Sequence, residues 1–272
     1  MRIRHLPGKM VQLSNLRWPL WSTFILGWMR RDNSGIVPCV LPESTRLLQI
    51  PLREFYDSYW FFSESKHGRN ELQFFLRQLR PGDILYDIGA FRGVYGAAAK
   101  AALGSAVSVY LFEPIEENFR AIEMISRVNQ LQRFEIVPEA VGSTSTIRGV
   151  FDAKDCMLRE GDASPRLRAV EMPATSVDLY AEETGVPPSV IKLDVDGFEM
   201  EVLEGAQKTL MQFKPRLWIE LHPGFLAAQG RRWEEAIELL KSLGYTVFNF
   251  HRDYELPTRD IAFHVWCDSR ES

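Results

Sequence analysis

Five polar side chains stand at the ends of short apolar runs, where they could act as acids, bases or ligands. They are Asp87, Glu113, Asp194, Glu220 and His222. Carboxylates and imidazoles transfer protons, accept hydrogen bonds from hydroxyl groups and bind metal ions. A single strand-end carboxylate is also what a turn or a helix cap uses. If the runs are neighbouring parallel strands, however, their ends lie together and the five groups converge on one rim.

The runs that carry these residues alternate with helical patterns from Asp83 onward. Runs rich in Val, Ile, Leu and Phe predict strands at 84–89, 108–114, 134–142, 189–197 and 215–223. Apolar residues at three- and four-residue steps predict helices at 94–103, 116–129, 198–211 and 232–243, and an earlier helix at 71–79. This alternation predicts an α/β fold with a parallel sheet covered on both faces, which binds ligands at the carboxyl ends of its strands.

Two segments depart from the alternation. The runs YTVFNF (245–250) and IAFHVWC (261–267) have no helical pattern between them, so we predict an antiparallel pair at the end of the chain. The region 143–178 lacks helical periodicity and contains the β-like runs IRGVFDA and RAVEMPA. We predict that it is a β-rich insert close to the site.

The stretch DIGAFRGVYG joins the first of these strands to a helix that begins near Val94. Glycines at 89, 93 and 96 let the backbone approach a ligand, and free N–H groups at a helix N-terminus favour an anionic one. The dinucleotide pattern G-x-G-x-x-G is incomplete, because Phe91 occupies the place of its middle glycine. Glu113 ends the next strand, 24 residues after Gly89 (113 minus 89), where a carboxylate accepts hydrogen bonds from ribose hydroxyls. The loop therefore predicts a nucleoside-containing ligand.

Composition narrows the class of protein. The chain has 272 residues, 46% of them hydrophobic and 25% charged, which is typical of an ordered globular domain with at most one appendage. A net charge of -4 argues against nucleic acid as the partner. The three cysteines, Cys39, Cys156 and Cys267, are far apart and suggest neither disulfides nor zinc, so a cytoplasmic setting fits best.

The aromatic run WPLWSTFILGWM (18–29) is too short to span a bilayer. We favour a helix that packs on the domain or on a dimer partner, and leave open a membrane-surface or lid element and a targeting signal. A second aromatic run, REFYDSYWFF (53–62), suits core and lid packing, or one face of a substrate.

Six motifs, taken in order, resemble those of the FkbM family of S-adenosylmethionine-dependent methyltransferases. They are DIGAFRGVYG, LFEPIEENFRAI, EAVG, TSVDLY, IKLDVDGFEMEVLEGA and PRLWIELHPG. The resemblance covers about Leu79 to the C-terminus and implies a Rossmann-like class I methyltransferase fold, with six parallel strands and an antiparallel seventh. It divides the chain into a helical or irregular extension, 1–80, which serves as a lid, substrate or dimer element, and a methyltransferase domain, 81–272, that holds the insert.

The resemblance also implies a cofactor site. It places the methionine part of S-adenosylmethionine against Asp87, Gly89, Ala90 and Gly93, with Tyr95 nearby; the ribose on Glu113; and the adenine beside Pro114, Glu139 and Ala140. Family members methylate hydroxyl groups, often on polyketides or sugars, so the expected acceptor is a small molecule. Two positions depart from the family pattern: Phe91 replaces its usual Asn, and Gly96 stands where Thr is common.

Transfer to a hydroxyl requires a group that removes a proton as the oxygen attacks the methyl carbon. His222 is the first choice of base, because histidine is suited to neutral pH and shares a strand face with Glu220. Asp194 is the second, with Lys192 on its face either as a structural ion pair or as a group that sets its charge. A divalent metal among these side chains is not favoured, because their spacing matches no dedicated metal motif.

Two other functions stay open from the sequence. One is an oxidoreductase that uses NAD(P), against which Phe91 in the glycine loop and the antiparallel tail both count. The other is a non-catalytic nucleotide-binding or membrane-surface protein anchored by its Trp-rich N-terminus. The intact set of Asp87, Glu113, Asp194 and His222 favours an enzyme. The sequence leaves oligomeric state open, including a homo-oligomer.

Overall fold

The computed structural model describes residues 35–55, 58, 61–62, 66–152, 157–159, 167–250 and 262–269. The Trp-rich run 18–29 lies outside these residues, as do parts of the aromatic run 53–62 and of the insert. Within the described residues, none of the helices has both the length and the apolar character needed to cross a membrane.

A seven-stranded sheet forms the centre of the molecule. Its strands, in chain order, are β3 (Ile84–Ile88), β4 (Ser108–Phe112), β5 (Phe134–Val137), β10 (Val190–Leu193), β11 (Arg216–Leu221), β12 (Thr246–Asn249) and β13 (Phe263–Asp268). Across the sheet they lie in the order β12-β13-β11-β10-β3-β4-β5. Pairing is parallel from β11 through β5, while β13 lies antiparallel between β11 and β12. The sheet therefore has six strands in one direction and one opposed, which confirms the predicted fold class.

Helices cover both faces of this sheet. They are α2 (Lys66–Gln78), α3 (Val94–Leu103), α4 (Glu116–Asn129), α5 (Val177–Thr184), α6 (Glu199–Glu204), α7 (Gln207–Phe213), α8 (Pro223–Ala228) and α9 (Trp233–Ser242), after a short α1 (Leu52–Phe55). The helix predicted at 198–211 is two helices, α6 and α7, separated by Gly205 and Ala206. Gly205 lies against the backbone of Gly142, since a side chain built on it would lie 2.1 Å from the Gly142 carbonyl oxygen.

Side chains that alternate along the strands divide the interior into two cores. Tyr86, Ile219 and Leu221 belong to the core on one face. Leu85 and Trp218 belong to the core on the other face, which also contains Ala97 to Ala99 of α3. This second core supports the polar groups of the site, because residues two apart on a strand share a face.

The described part of residues 35–80 packs on that second core. A hairpin of β1 (Ile36–Val40) and β2 (Leu47–Pro51) precedes α1 and α2. Leu48, Ile50, Leu72 and Phe75 are fully buried there. The prediction of a helical or irregular segment here missed the hairpin, since Pro38 within β1 weakens a strand pattern.

The insert is built from strands, as its runs indicate. The strands β6 (Ala140–Val141), β7 (Thr146–Asp152), β8 (Met157–Arg159) and β9 (Leu167–Thr175) form a second sheet in the order β6-β9-β7-β8. The run predicted as one strand at 134–142 thus divides, with β5 in the central sheet and β6 paired to β9.

Candidate active site

The glycine loop between β3 and α3 passes directly over the end of β10. Gly89 has φ +72°, and a side chain built on it would lie 1.8 Å from the carbonyl oxygen of Asp194. The N–H groups of Gly89 and Ala90 both donate to the carbonyl of Phe112 at 3.1 Å, which ties the loop to β4. Gly93 also has positive φ, at +71°, and immediately precedes α3. These backbone conformations explain why glycine is needed at both positions.

Glu113 lies just beyond β4, beneath the glycine loop. Its carboxylate accepts hydrogen bonds from the N–H groups of Phe91 at 2.8 Å and Ile115 at 2.9 Å, and from the amide of Asn118 at 3.2 Å. Burial raises the pKa of Glu113 to about 7, although these hydrogen bonds oppose the shift. Because Oε2 receives only the Phe91 N–H among these donors, it retains a lone pair for a ribose hydroxyl.

The residues predicted beside the adenine follow the ends of the next two strands. Pro114 comes directly after Glu113 and is partly exposed, and Glu139 lies between β5 and β6. Ala140 is the first residue of β6 and is buried. Since β4 and β5 are adjacent in the sheet, these residues stand at the same sheet edge as the glycine loop.

Lys192 connects the glycine loop to the polar rim. Its ammonium donates to the carbonyl of Gly89 at 2.9 Å, and lies 3.2 Å from Asp194 and 3.7 Å from Asp87. Asp87 is fully buried and also accepts the N–H of Gly96 at 3.0 Å. Burial lowers the pKa of Lys192, but the two carboxylates outweigh it and the net pKa is raised. Lys192 is therefore a buried cation that is shared between the two aspartates.

Tyr95 lies deeper in the same face. Its ring packs edge-on against Phe61 and Phe75, with centroids 5.3 and 5.1 Å away, and the Lys192 ammonium lies 5.4 Å from its centre. Burial raises the pKa of Tyr95. This side chain therefore supports Lys192 from below and is 6% exposed.

His222 is surrounded by carboxylates at the end of β11. Its Nδ1 is 2.7 Å from Oε1 of Glu199, and its Nε2 lies 3.5 Å from Asp196, 3.9 Å from Asp194 and 4.0 Å from Glu220. Burial lowers the pKa of His222, but the hydrogen bond to Glu199 and the neighbouring charges raise it to about 10. The imidazole is thus protonated at neutral pH in this arrangement. The assignment of His222 as the catalytic base stays a prediction. The charge state does not favour it, because a protonated imidazole cannot accept a proton.

Sequence reasoning did not single out His264, on β13. The register pairs His264 with Glu220, and its Nε2 lies 3.3 Å from that carboxylate while its ring stacks on Trp218 at 4.8 Å. Burial raises the pKa of Glu220, but His264, His222 and Lys192 outweigh it and lower the pKa to about 2. The antiparallel tail was predicted, but only its register with β11 shows that His264 faces the site.

Glu199 lies outside the strand-end set that the sequence predicts. It is fully buried at the start of α6, and its Oε1 also accepts the N–H of Gly197 at 3.0 Å. The ligand atoms of Asp194, Glu220 and His222 all lie within 4.8 Å of one another, so this set could hold a metal ion. The structure thus brings together the predicted catalytic residues Lys192, Asp194, Glu220 and His222.

The sheet order, the glycine loop with Glu113 beside it, and the strand-end rim define a class I methyltransferase. A family model described as the methyltransferase FkbM domain matches residues 87–247, more than half of the chain. The protein belongs to this family of methyltransferases. This family membership excludes the alternative prediction, an oxidoreductase that uses NAD(P).

Individual relatives are distant. The chain is 21% identical over 170 residues to the hexuronic acid methyltransferase AglP of Haloferax volcanii, which covers 62% of this chain and 68% of AglP. A methyltransferase FkbM structure from Methylobacillus flagellatus KT is 20% identical with a TM-score of 0.48, covering 70% of this chain and 45% of that one. Aeropyrum pernix fibrillarin, solved with S-adenosyl-L-methionine, is 12% identical with a TM-score of 0.43, covering 73% of each chain. The match thus spans less than half of the Methylobacillus protein.

Proposed function

We propose that this protein transfers a methyl group from S-adenosylmethionine to a hydroxyl oxygen of a small molecule. The observation that carries the proposal is the bond from Lys192 to the Gly89 carbonyl, which joins the cofactor loop directly to the rim of Asp194, Glu220 and His222. A cofactor and an acceptor held on these two sides would meet above the end of β10.

The residues present fit the cofactor. The space beside Gly89 admits no side chain, and Glu113 retains a lone pair on Oε2 for a ribose hydroxyl. When bound, S-adenosylmethionine supplies a methyl group on a positively charged sulfur. The rim next to the loop is rich in carboxylates, whose charge complements a cation at that point.

The chain itself has three tasks in the reaction. The loop and rim hold the acceptor oxygen, methyl carbon and sulfur in line. The Asp196 carboxylate on the rim would accept the hydroxyl proton during methyl transfer, which would leave S-adenosylhomocysteine. His222, held by Glu199 through Nδ1, presents its Nε2 to this carboxylate group, 3.5 Å from Asp196.

A sugar acid is the acceptor class that we propose to test first. The curated relative is named for hexuronic acid, and the family resemblance implies sugars or polyketides. Incubation with S-adenosylmethionine and glucuronic or galacturonic acid should give a product with one added methyl group by mass spectrometry. Neutral glucose and a phenol serve as comparison acceptors. Methylation of the phenol alone would contradict a sugar acid as the acceptor and favour an aromatic hydroxyl.

Calorimetric titration with S-adenosylhomocysteine tests the cofactor. We expect micromolar affinity, no binding of NAD, and a loss of roughly 10- to 100-fold in Glu113→Gln, because a hydrogen bond to a charged group contributes about 1.5–3 kcal/mol. Glu116→Gln is the matched control, since Glu116 is an exposed residue at the start of α4. Absence of binding by the wild type, or equal affinities of Glu113→Gln and wild type, would overturn the assignment.

A further inference from the structure

Three side chains of the rim share one arrangement. Each has one polar atom engaged by an outer partner and another that faces a common centre. His222 contacts Glu199 through Nδ1 at 2.7 Å and presents Nε2. Asp194 contacts Lys192 through Oδ2 at 3.2 Å and presents Oδ1. Glu220 contacts His264 through Oε2 at 3.3 Å and presents Oε1.

The distances between the facing atoms suit a cation after a small contraction. His222 Nε2 lies 3.9 Å from Asp194 Oδ1 and 4.0 Å from Glu220 Oε1. Ligands at about 2.1 Å from a magnesium-sized ion, octahedrally arranged, are roughly 3 Å apart when adjacent. A shift of about 1 Å per contact would therefore close the set around one ion.

The outer partners are those that ligating side chains usually have. A metal-binding histidine commonly donates its other N–H to a carboxylate, and ligating carboxylates are themselves hydrogen-bonded. Glu199, which fills this role for His222, is fully buried, and its Oε2 has no hydrogen-bond partner among the described residues. Burying a carboxylate costs free energy. The position of Glu199 behind the imidazole therefore indicates a role for His222 beyond packing.

We propose that Asp194, Glu220 and His222 bind one divalent cation of the manganese or magnesium type at the end of β10 and β11, and that the cation displaces the Nε2 proton of His222 to solvent. Two carboxylates and one imidazole with open positions suit Mn²⁺ best among these ions. The three ligands follow or end two strands, and 28 residues separate the first from the last (222 minus 194). No local sequence motif therefore indicates the site. This reverses the expectation from sequence that a metal is not favoured.

The role of the ion rests on the proposed function, whereas its binding does not. In the transfer, the bound ion would supply an open position for the acceptor hydroxyl and would lower the pKa of that hydroxyl. Asp196, whose Oδ1 lies 3.5 Å from His222 Nε2 and which is outside the ligand set, then takes the proton.

The test is titration of the full-length protein with Mn²⁺, followed by electron paramagnetic resonance, with and without S-adenosylhomocysteine. We expect one bound Mn²⁺ per chain, with nitrogen modulation from a histidine ligand that disappears in His222→Gln. Glu220→Gln and Asp194→Asn should each weaken binding at least tenfold, and Glu199→Gln roughly 10- to 100-fold. Glu171→Gln, which changes an exposed carboxylate of β9, is the matched control.

Circular dichroism of each variant identifies any that fail to fold. If Asp194→Asn is unfolded, the comparison of Glu220→Gln with the wild type decides the test. The proposal is overturned if the wild type binds no Mn²⁺ at millimolar concentration, or if binding is the same in Glu220→Gln. Mn²⁺ binding without S-adenosylhomocysteine binding would contradict the methyltransfer role alone. S-adenosylhomocysteine binding without Mn²⁺ binding would contradict the metal site alone.

Discussion

The ammonium of Lys192 donates a 2.9 Å hydrogen bond to the carbonyl of Gly89, so one buried side chain links the glycine loop to the polar rim. Lys192 is 4% exposed, and both aspartates beside it lie on the same face of the sheet. The sequence left two readings of this lysine open, a structural pair or a group that sets the charge of Asp194. The contacts show that it pairs with Asp87 and Asp194 together.

Replacing Lys192 with methionine should destabilise the protein by about 3–5 kcal/mol, because the buried carboxylate of Asp87 would lose its counter-charge. Chemical denaturation measures the effect. The double variant Lys192→Met with Asp87→Asn should recover much of the loss, since it removes the uncompensated charge as well. A loss below about 1 kcal/mol in the single variant would show that the pair does not behave as a buried one.

Gly89→Ala should destabilise the protein by more than about 3 kcal/mol, because its new side chain would lie 1.8 Å from the carbonyl oxygen of Asp194. Gly185→Ala is the matched control, with φ +67° and no atom within 4 Å of the added carbon. It should cost only about 1 kcal/mol, the strain of a left-handed alanine. Thermal unfolding compares the two, and equal losses would mean that strain, not the contact with Asp194, requires glycine at position 89.

Affinity for S-adenosylhomocysteine should fall as pH decreases below about 7. Burial raises the pKa of Glu113 to about 7 in the free protein, whereas ribose hydroxyls donate to its ionised form. Below this pKa, binding must first remove a proton, so affinity falls roughly tenfold per pH unit. Titrations between pH 8 and pH 5 measure the slope.

The Glu113→Gln variant provides the control for this pH dependence. Glutamine cannot ionise, so its weaker binding should be the same across that range. A parallel slope in the wild type and in Glu113→Gln would assign the pH dependence to another group.

Phe91→Asn should stabilise the protein by about 0.5–1 kcal/mol, seen as a Tm increase of roughly 2 °C. Phe91 has φ +50°, a left-handed conformation that asparagine adopts at lower cost. Gln130→Asn, at φ +52° beyond α4, tests the same strain at an exposed position and should also stabilise. A lower Tm in Phe91→Asn alone would show that packing of its ring against Arg92, 5.0 Å away, outweighs the strain.

Much of this protein follows from its sequence, because local pattern and chemistry determine it. The helices at 94–103 and 116–129 were predicted with their observed bounds, since each has a continuous apolar face. The apolar run at 84–89 and the glycines after it indicate a buried strand followed by a backbone that approaches a ligand. Strand ends place Asp87, Glu113, Asp194, Glu220 and His222 at one sheet edge, as the structure does.

Tertiary structure alone decided which of these residues touch. The register of β13 against β11 brings His264 to Glu220, and the start of α6 brings Glu199 to His222. The hairpin of β1 and β2 is stabilised by burial of Leu48 and Ile50 in a core shared with Trp218, and no local signal encodes that burial. Contacts between distant segments depend on how strands pair and helices pack, and therefore so does the charge state of each side chain in the site.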